Sequence, residues 1–312
     1  MKRLAIVLIL AVALCGCKES HKRYDERGVP YIRMQKGAYI PCLGMTTFNL
    51  YGDLTLLAVT EALKCGYRHI DTAHIYQNEA NIGEAIRQSG IPREEIWVTS
   101  KLWPQEYGKG TTMRAIDRML ERFGLEYLDL LVLHHPIYEY REAWEDMEKA
   151  FREGKVKALG IYGFDKSEEA YRVITEEVKI KPSVHQIECH PYAQRRDIVA
   201  RDAKNGILTE CWYPTGPNGG EILADSTIVA IAQKHGKTPA QVVLKWHLEN
   251  DRSVIPTINN PTEMDTFIDI FDFKLSEEDH TAIEALDRNA TVENTSLEEL
   301  EYIVVRFPLI DI

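Results

Sequence analysis

The sequence predicts an α/β protein whose main body is a closed (β/α)8 barrel of the TIM type, with an N-terminal β-hairpin and a C-terminal tail. Three observations predict it. Strand-like and helix-like runs alternate from residue 29 onward. Eight strand runs fit within about 260 residues, the usual size of one such barrel. The strand runs are apolar at nearly every position, as parallel strands covered on both faces must be. An open doubly wound sheet is the competing architecture, but its first strand–helix turn lacks a G-x-G-x-x-G run.

The elements follow in order. Lys2 and Arg3 precede an uncharged run, Leu4–Leu14, which is too short to span a bilayer. Leu14-Cys15-Gly16-Cys17 follows, then a polar stretch over 18–27. This is the pattern of a secretory signal over residues 1–16. It resembles the lipobox of bacterial lipoproteins, which implies a lipid on Cys17, a tether over 17–28, and export to a bacterial membrane. Val29–Leu43 holds two short runs split by Lys36-Gly37, a hairpin. The barrel strands are expected near Leu43–Phe48, Arg68–Asp71, Ile96–Ser100, Leu128–His134, Ala158–Ile161, Ser183–Ile187, Ile207–Trp212 and Ser253–Ile258. Helices are expected at Leu54–Cys65, Thr111–Phe123, Glu142–Glu153, Glu168–Val178 and Pro239–Glu249, with glycines such as Gly66 and Gly124 as stops. The barrel is expected over 29–290 and the tail over 291–312. The apolar end of the tail should be buried, across the barrel or in another chain.

Composition narrows the function. The 312 residues carry 37 Lys plus Arg against 48 Asp plus Glu, a formal charge of −11. Such a chain repels phosphate backbones, so nucleic acid is not expected as a partner. Six cysteines are too few for a disulfide scaffold, and none forms a C-x-x-C pair, so no metal site is expected. Cys42, Cys65, Cys189 and Cys211 read as small buried thiols. His134-His135 does not read as a metal pair either, because adjacent strand residues point to opposite faces. Gln186, Glu188 and His190 share a face, but Gln is a poor ligand for zinc-type sites.

In a barrel the working groups gather at the C-terminal strand ends. Those ends deliver Asp71, with Tyr76 five residues on, then Lys101 and His134. The set has a chemical logic. A phenol near an ammonium should be more acidic than usual, a carboxylate can hold the ammonium in place, and an imidazole can orient a carbonyl oxygen. The group would protonate a carbonyl oxygen while hydride reaches the carbon.

The run Gly66-Tyr-Arg-His-Ile-Asp71-Thr-Ala-His-Ile-Tyr76-Gln-Asn-Glu79 resembles the signature of the aldo-keto reductases. So do Val98-Thr-Ser-Lys101-Leu-Trp103, Leu128-Asp-Leu-Leu-Val-Leu-His134-His-Pro136 and Gln186-Ile-Glu-Cys-His-Pro191. The resemblance spans roughly 29–287. It implies NAD(P)H-dependent reduction of an aldehyde or ketone, with Tyr76 as proton donor and Asp71, Lys101 and His134 completing a tetrad. It also implies cofactor contacts at Gln186, Trp212, Thr257 and Thr47, and a substrate pocket at Trp103 and Phe48.

The departures cluster at the cofactor. Where the family reads G-V-S-N-F, this chain has Gly160-Ile-Tyr162-Gly163-Phe164. A serine after the stacking aromatic is replaced by Tyr213. The lysine and arginine that grip the adenosine 2′-phosphate are Thr257 and Glu263, and an adenine-side asparagine is Phe267. The family default is NADPH, but Thr257 and Glu263 argue against a 2′-phosphate preference. The competing reading is an exported, catalytically inactive barrel that binds a ligand or partner as a lipoprotein. The carbonyl substrate and the oligomeric state are not legible in the sequence.

Overall fold

The computed structural model describes residues 22–24, 29–34, 37–217, 220–258, 261–306 and 308–309. The expected signal peptide and Cys17 lie outside the described residues.

Eight parallel strands form the barrel: β4 (Met45–Thr46), β5 (His69–Asp71), β6 (Trp97–Leu102), β7 (Leu130–Leu133), β8 (Leu159–Tyr162), β9 (Val184–Glu188), β10 (Leu208–Trp212) and β11 (Ser253–Ile255). Each pairs with its sequence neighbour. Bridges from Leu43 to Val254 and from Thr46 to Thr257 bring the first strand onto the last. The helices that return the chain are α1 (Asp53–Cys65), α2 (Glu79–Ser89), α3 (Thr111–Phe123), α4 (Tyr140–Arg152), α5 (Glu168–Arg172), α6 (Arg196–Lys204), α7 (Gly220–Leu223), α8 (Ser226–His235), α9 (Pro239–Glu249), α10 (Pro261–Ile268), α11 (Glu277–Glu284) and α12 (Leu297–Arg306). Helix ends carry the expected chemistry. Gly66 and Gly124 close α1 and α3 in left-handed conformation, and Thr238 with Gln241 forms a capping box at α9. The close approach of α2 to α3 needs Gly83, where a Cβ would lie 1.8 Å from the Phe123 carbonyl oxygen.

The expected hairpin is present as β2 (Pro30–Arg33) against β3 (Tyr39–Pro41). It gains a third strand, β1 (Lys22–Tyr24), antiparallel to β2. The sequence placed those residues in a polar tether. Strand pairing is made by backbone groups, so a polar segment satisfies an edge that its side chains do not advertise.

The tail crosses the barrel's C-terminal face, one of the two placements expected for it, and forms α12, whose Leu300 and Val304 pack on Trp103 and Ile137 while Tyr302 and Val305 stay exposed. Gln105 ties it down, donating to the Val304 carbonyl at 3.0 Å and accepting from the Leu309 amide at 2.7 Å. Among the described residues no helix is long and apolar enough to cross a membrane.

Candidate active site

A cavity of about 320 Å³ opens at the C-terminal ends of the strands. Asp71, Tyr76, Lys101 and Gln186 line its polar floor, and Phe48, Tyr162, Trp212 and Tyr213 its aromatic walls.

Asp71 and Lys101 are 1% and 3% exposed. The Lys101 ammonium donates to Asp71 Oδ1 at 2.7 Å, Asp71 Oδ2 at 2.8 Å and the Thr72 carbonyl at 2.8 Å. All three of its N–H donors are therefore used. Two buried charges persist here because each satisfies the other. The Tyr76 ring lies 5.6 Å from Lys101 Nζ. Tyr76 stands on a 3-10 turn, His74–Tyr76. Three hydrogen bonds pin that turn. His74 Nδ1 meets Glu106 at 2.7 Å, and the Asn78 amide donates to the carbonyls of Thr47 and Leu50.

The expected lowering of the phenol by Lys101 is not what these surroundings produce. Burial pushes Tyr76 well above its ordinary pKa, and the charge of Asp71 adds to it. Tyr76 is thus held protonated at neutral pH.

His134 follows β7 directly. The Tyr107 hydroxyl accepts from the His134 and His135 amides at 2.9 and 3.2 Å and fixes the backbone there. The two imidazoles stack, 4.7 Å apart and 11° from parallel. The expectation that they point to opposite faces fails because both lie beyond Leu133, where strand alternation has ended. Burial, with help from His135 and Lys101, drives His134 well below its ordinary pKa, so it is a neutral imidazole. It does not itself line the cavity; it is edge-on to Tyr162, which does, at 4.8 Å, and to Trp103 at 5.1 Å.

Gln186 is fully buried. Its amide nitrogen donates to Asp71 at 2.8 Å and to Glu210 at 2.7 Å. Its carbonyl oxygen is buried with no hydrogen-bond partner. Glu210 in turn accepts from Ser253 at 2.8 Å and lies 3.8 Å from His69. Sequence reasoning passed over Glu210, although a carboxylate inside an otherwise apolar strand run was the available signal.

The remaining expected residues divide. Trp212 lines the cavity and is stacked with Tyr162 at 5.9 Å and 24°. Phe48 and Thr257 line it too. Thr46 lines the cavity, whereas the Thr47 hydroxyl is spent inside the loop on Thr72 at 2.7 Å and the Asp71 carbonyl at 3.3 Å. Trp103 is buried under α12, against Leu300 and Val304. Glu188 takes no part in a ligand triad. It accepts from His190 at 3.1 Å and from the Val292 and Glu293 amides, strapping the tail over the cavity. Lys166 reinforces the strap through Glu293 at 2.5 Å and the Thr295 carbonyl at 2.8 Å. Gly163 has φ +74°, and a Cβ there would lie 3.0 Å from His135 Nδ1. A side chain at position 163 would therefore press on the stacked histidine pair.

A second groove continues from the cavity past Tyr213, Thr215, Gly216, Thr257, Glu263 and Phe267. Among the described residues that line it there is no Lys or Arg.

Residues 43–288 match the model of the aldo/keto reductase family. The chain belongs to that family. It is 40% identical to an aldo-keto reductase of Mycolicibacterium smegmatis, over 83% of this chain and 94% of that protein. It is 36% identical to the glyoxal reductase of Bacillus subtilis, over 84% and 94%. A mutant of Gox0644 solved with NADPH superposes with a TM-score of 0.77 at 36% identity, covering 83% of this chain and 93% of that one. This aldo/keto reductase is accordingly an oxidoreductase, and carbonyl reduction with NAD(P)H is its general chemistry. The buried, unpartnered oxygen of Gln186 and the buried, unpartnered hydroxyl of Thr257 fit a dinucleotide laid along the cavity and groove. Each offers hydrogen bonding that the protein itself leaves unused.

Proposed function

We propose that this aldo/keto reductase reduces a small aldehyde or ketone with Tyr76 as the general acid. The observation that carries the reading is the Tyr76 phenol, held protonated beside the Asp71–Lys101 pair and open to the cavity. When bound, the dinucleotide supplies hydride to the carbonyl carbon. Tyr76 donates its proton to the carbonyl oxygen. Lys101 stabilises the phenolate left behind, and Asp71 keeps Lys101 charged and in place. Gln186 receives the nicotinamide carboxamide on its free oxygen, because Asp71 and Glu210 hold its nitrogen. Trp212 and Tyr162 form an aromatic wall for the ring. Neutral His134, buttressed by Trp103, completes the carbonyl-orienting edge. Phe48, 5.4 Å from Tyr76, limits substrate size. Thr257 and Glu263 leave the groove without a grip on a 2′-phosphate, so NADPH is not favoured over NADH.

Tyr76→Phe tests the reading. Reduction should fall by about 10²–10⁴-fold, while cofactor still quenches tryptophan emission as in the wild type. Retained turnover would remove Tyr76 from the donor role. We also propose that Cys17 carries a lipid after export, supported by the Leu14–Cys17 run. Cys17→Ser should then move the protein from the membrane fraction to the soluble one.

A further inference from the structure

Cys211 alternates with the inward-facing Glu210 and so points out of β10 toward α9, and Cys189, directly after β9, lies beside it. There they meet His247. The two sulfurs and an imidazole nitrogen lie within 4.8 Å of one another, and all three residues are fully buried. Ligand atoms bracketing a single thiophilic ion stand roughly 4 Å apart, so only a small contraction separates this arrangement from a coordination shell. The imidazole is already prepared. Its Nε2 contacts the Pro214 carbonyl at 3.1 Å, which places the proton there. Its Nδ1 is buried without a partner. A backbone carbonyl that fixes the tautomer and leaves the other nitrogen free is the usual setting of a metal-ligating histidine.

We propose that Cys189, Cys211 and His247 form a three-coordinate site for a soft monovalent cation of the Cu(I) class. Two features select that class. The structure supplies three ligand atoms, one short of the four of a structural Zn(II) site. The Arg252 guanidinium stands 3.6 Å from Cys189 Sγ and over the Trp246 ring, where it offsets part of the thiolate charge. The Cys189 thiol donates to the Gln194 carbonyl at 3.5 Å until its proton is displaced. Thiolate sulfur with imidazole nitrogen is also the donor set that soft cations prefer. Binding displaces both thiol protons to solvent and changes no oxidation state when the metal is supplied as Cu(I). The sequence, lacking a C-x-x-C pair, predicted no metal; the three ligands come together only through the pairing of β9 with β10 and the packing of α9.

The test is anaerobic titration of the reduced full chain with Cu(I) buffered by bathocuproine disulfonate. One equivalent should be withdrawn, with an ultraviolet thiolate-to-Cu(I) band and release of roughly two protons. Trp246, whose ring lies 4.6 Å from His247, should report occupancy in its emission. Cys211→Ala and His247→Gln should weaken retention at least tenfold while circular dichroism and NADPH binding stay at wild-type levels. Cys42→Ala, Cys65→Ala and Cys17→Ser should retain the ion. No withdrawal by the wild-type chain, undiminished withdrawal by Cys211→Ala, or tighter retention of Zn(II) than of Cu(I) would each overturn the proposal.

Discussion

Replacing Lys101 by Met tests whether the buried Asp71–Lys101 pair is a structural liability. Lys101 and Asp71 are almost fully buried, and the ammonium supplies three short hydrogen bonds. Without it, Asp71 retains one side-chain donor, the Gln186 amide. Removing one partner of a buried ion pair costs about 3–5 kcal/mol, most of it the penalty of the charge left behind. For a domain of this size that is a drop in Tm of roughly 6 °C or more. The double variant, Lys101→Met with Asp71→Asn, removes the orphan charge and should regain most of the loss while remaining inactive. Urea unfolding at pH 7 across the four-membered cycle reads this. A double variant no more stable than Lys101→Met alone would refute the reasoning, since the cost would then lie in packing rather than charge.

Three further outcomes are expected. Glu263→Arg should tighten NADPH relative to NADH by about tenfold, a screened remnant of ~1.4 kcal/mol, and the gain should fade at high salt; an unchanged ratio in fluorescence titrations would clear Glu263 of any role. Burial holds His134, His135 and His247 below their ordinary pKa, His135 at about 3. Their unfolded forms take up protons below about pH 6.5 and the folded forms do not, so stability is full above neutrality and falls as the pH drops, by up to about 4 kcal/mol per pH unit; His135→Gln should remove about a third of that slope, as read by urea midpoints. Lys166→Ala should free the strap at Glu293, speeding proteolysis between residues 287 and 296 and changing KM for the carbonyl, with stability altered by only about 1 kcal/mol.

The barrel was legible because its signals are local. Thr111–Phe123 and Pro239–Glu249 form helices over the expected residues, and each strand run is bounded by residues that cannot continue it. Asp71, Tyr76 and Lys101 were legible because strand ends converge in this fold. What escaped depends on contacts between distant segments. The spacing of Leu297, Leu300 and Val304 is helical, but the apolar run at 302–305 masks it. The His134–His135 stack escaped because alternation was carried one residue past the strand. The lowered phenol was expected from Lys101 alone, whereas the surroundings add burial and the charge of Asp71. The meeting of Cys189, Cys211 and His247 has no sequence spacing to betray it.

The polar residues of the barrel floor act as one device rather than a tetrad with neighbours. Lys101 sits on β6, Asp71 on β5, Gln186 on β9, Glu210 on β10 and Ser253 on β11, and each is joined to the next by a hydrogen bond of 2.7–2.8 Å. Asp71 therefore holds both the Lys101 ammonium and the Gln186 amide. On the proposed roles, proton donation and the cofactor contact both depend on that one carboxylate. Glu210 makes that sharing workable, because a second acceptor on the Gln186 nitrogen fixes the amide's orientation against a flip. A change at Glu210 should thus be felt at the cofactor before it is felt at Tyr76, although the residue lies on the far side of Gln186 from the ammonium. Tyr162, Thr257 and Glu263 lie outside this network, whereas each member inside it would strand a buried partner if replaced.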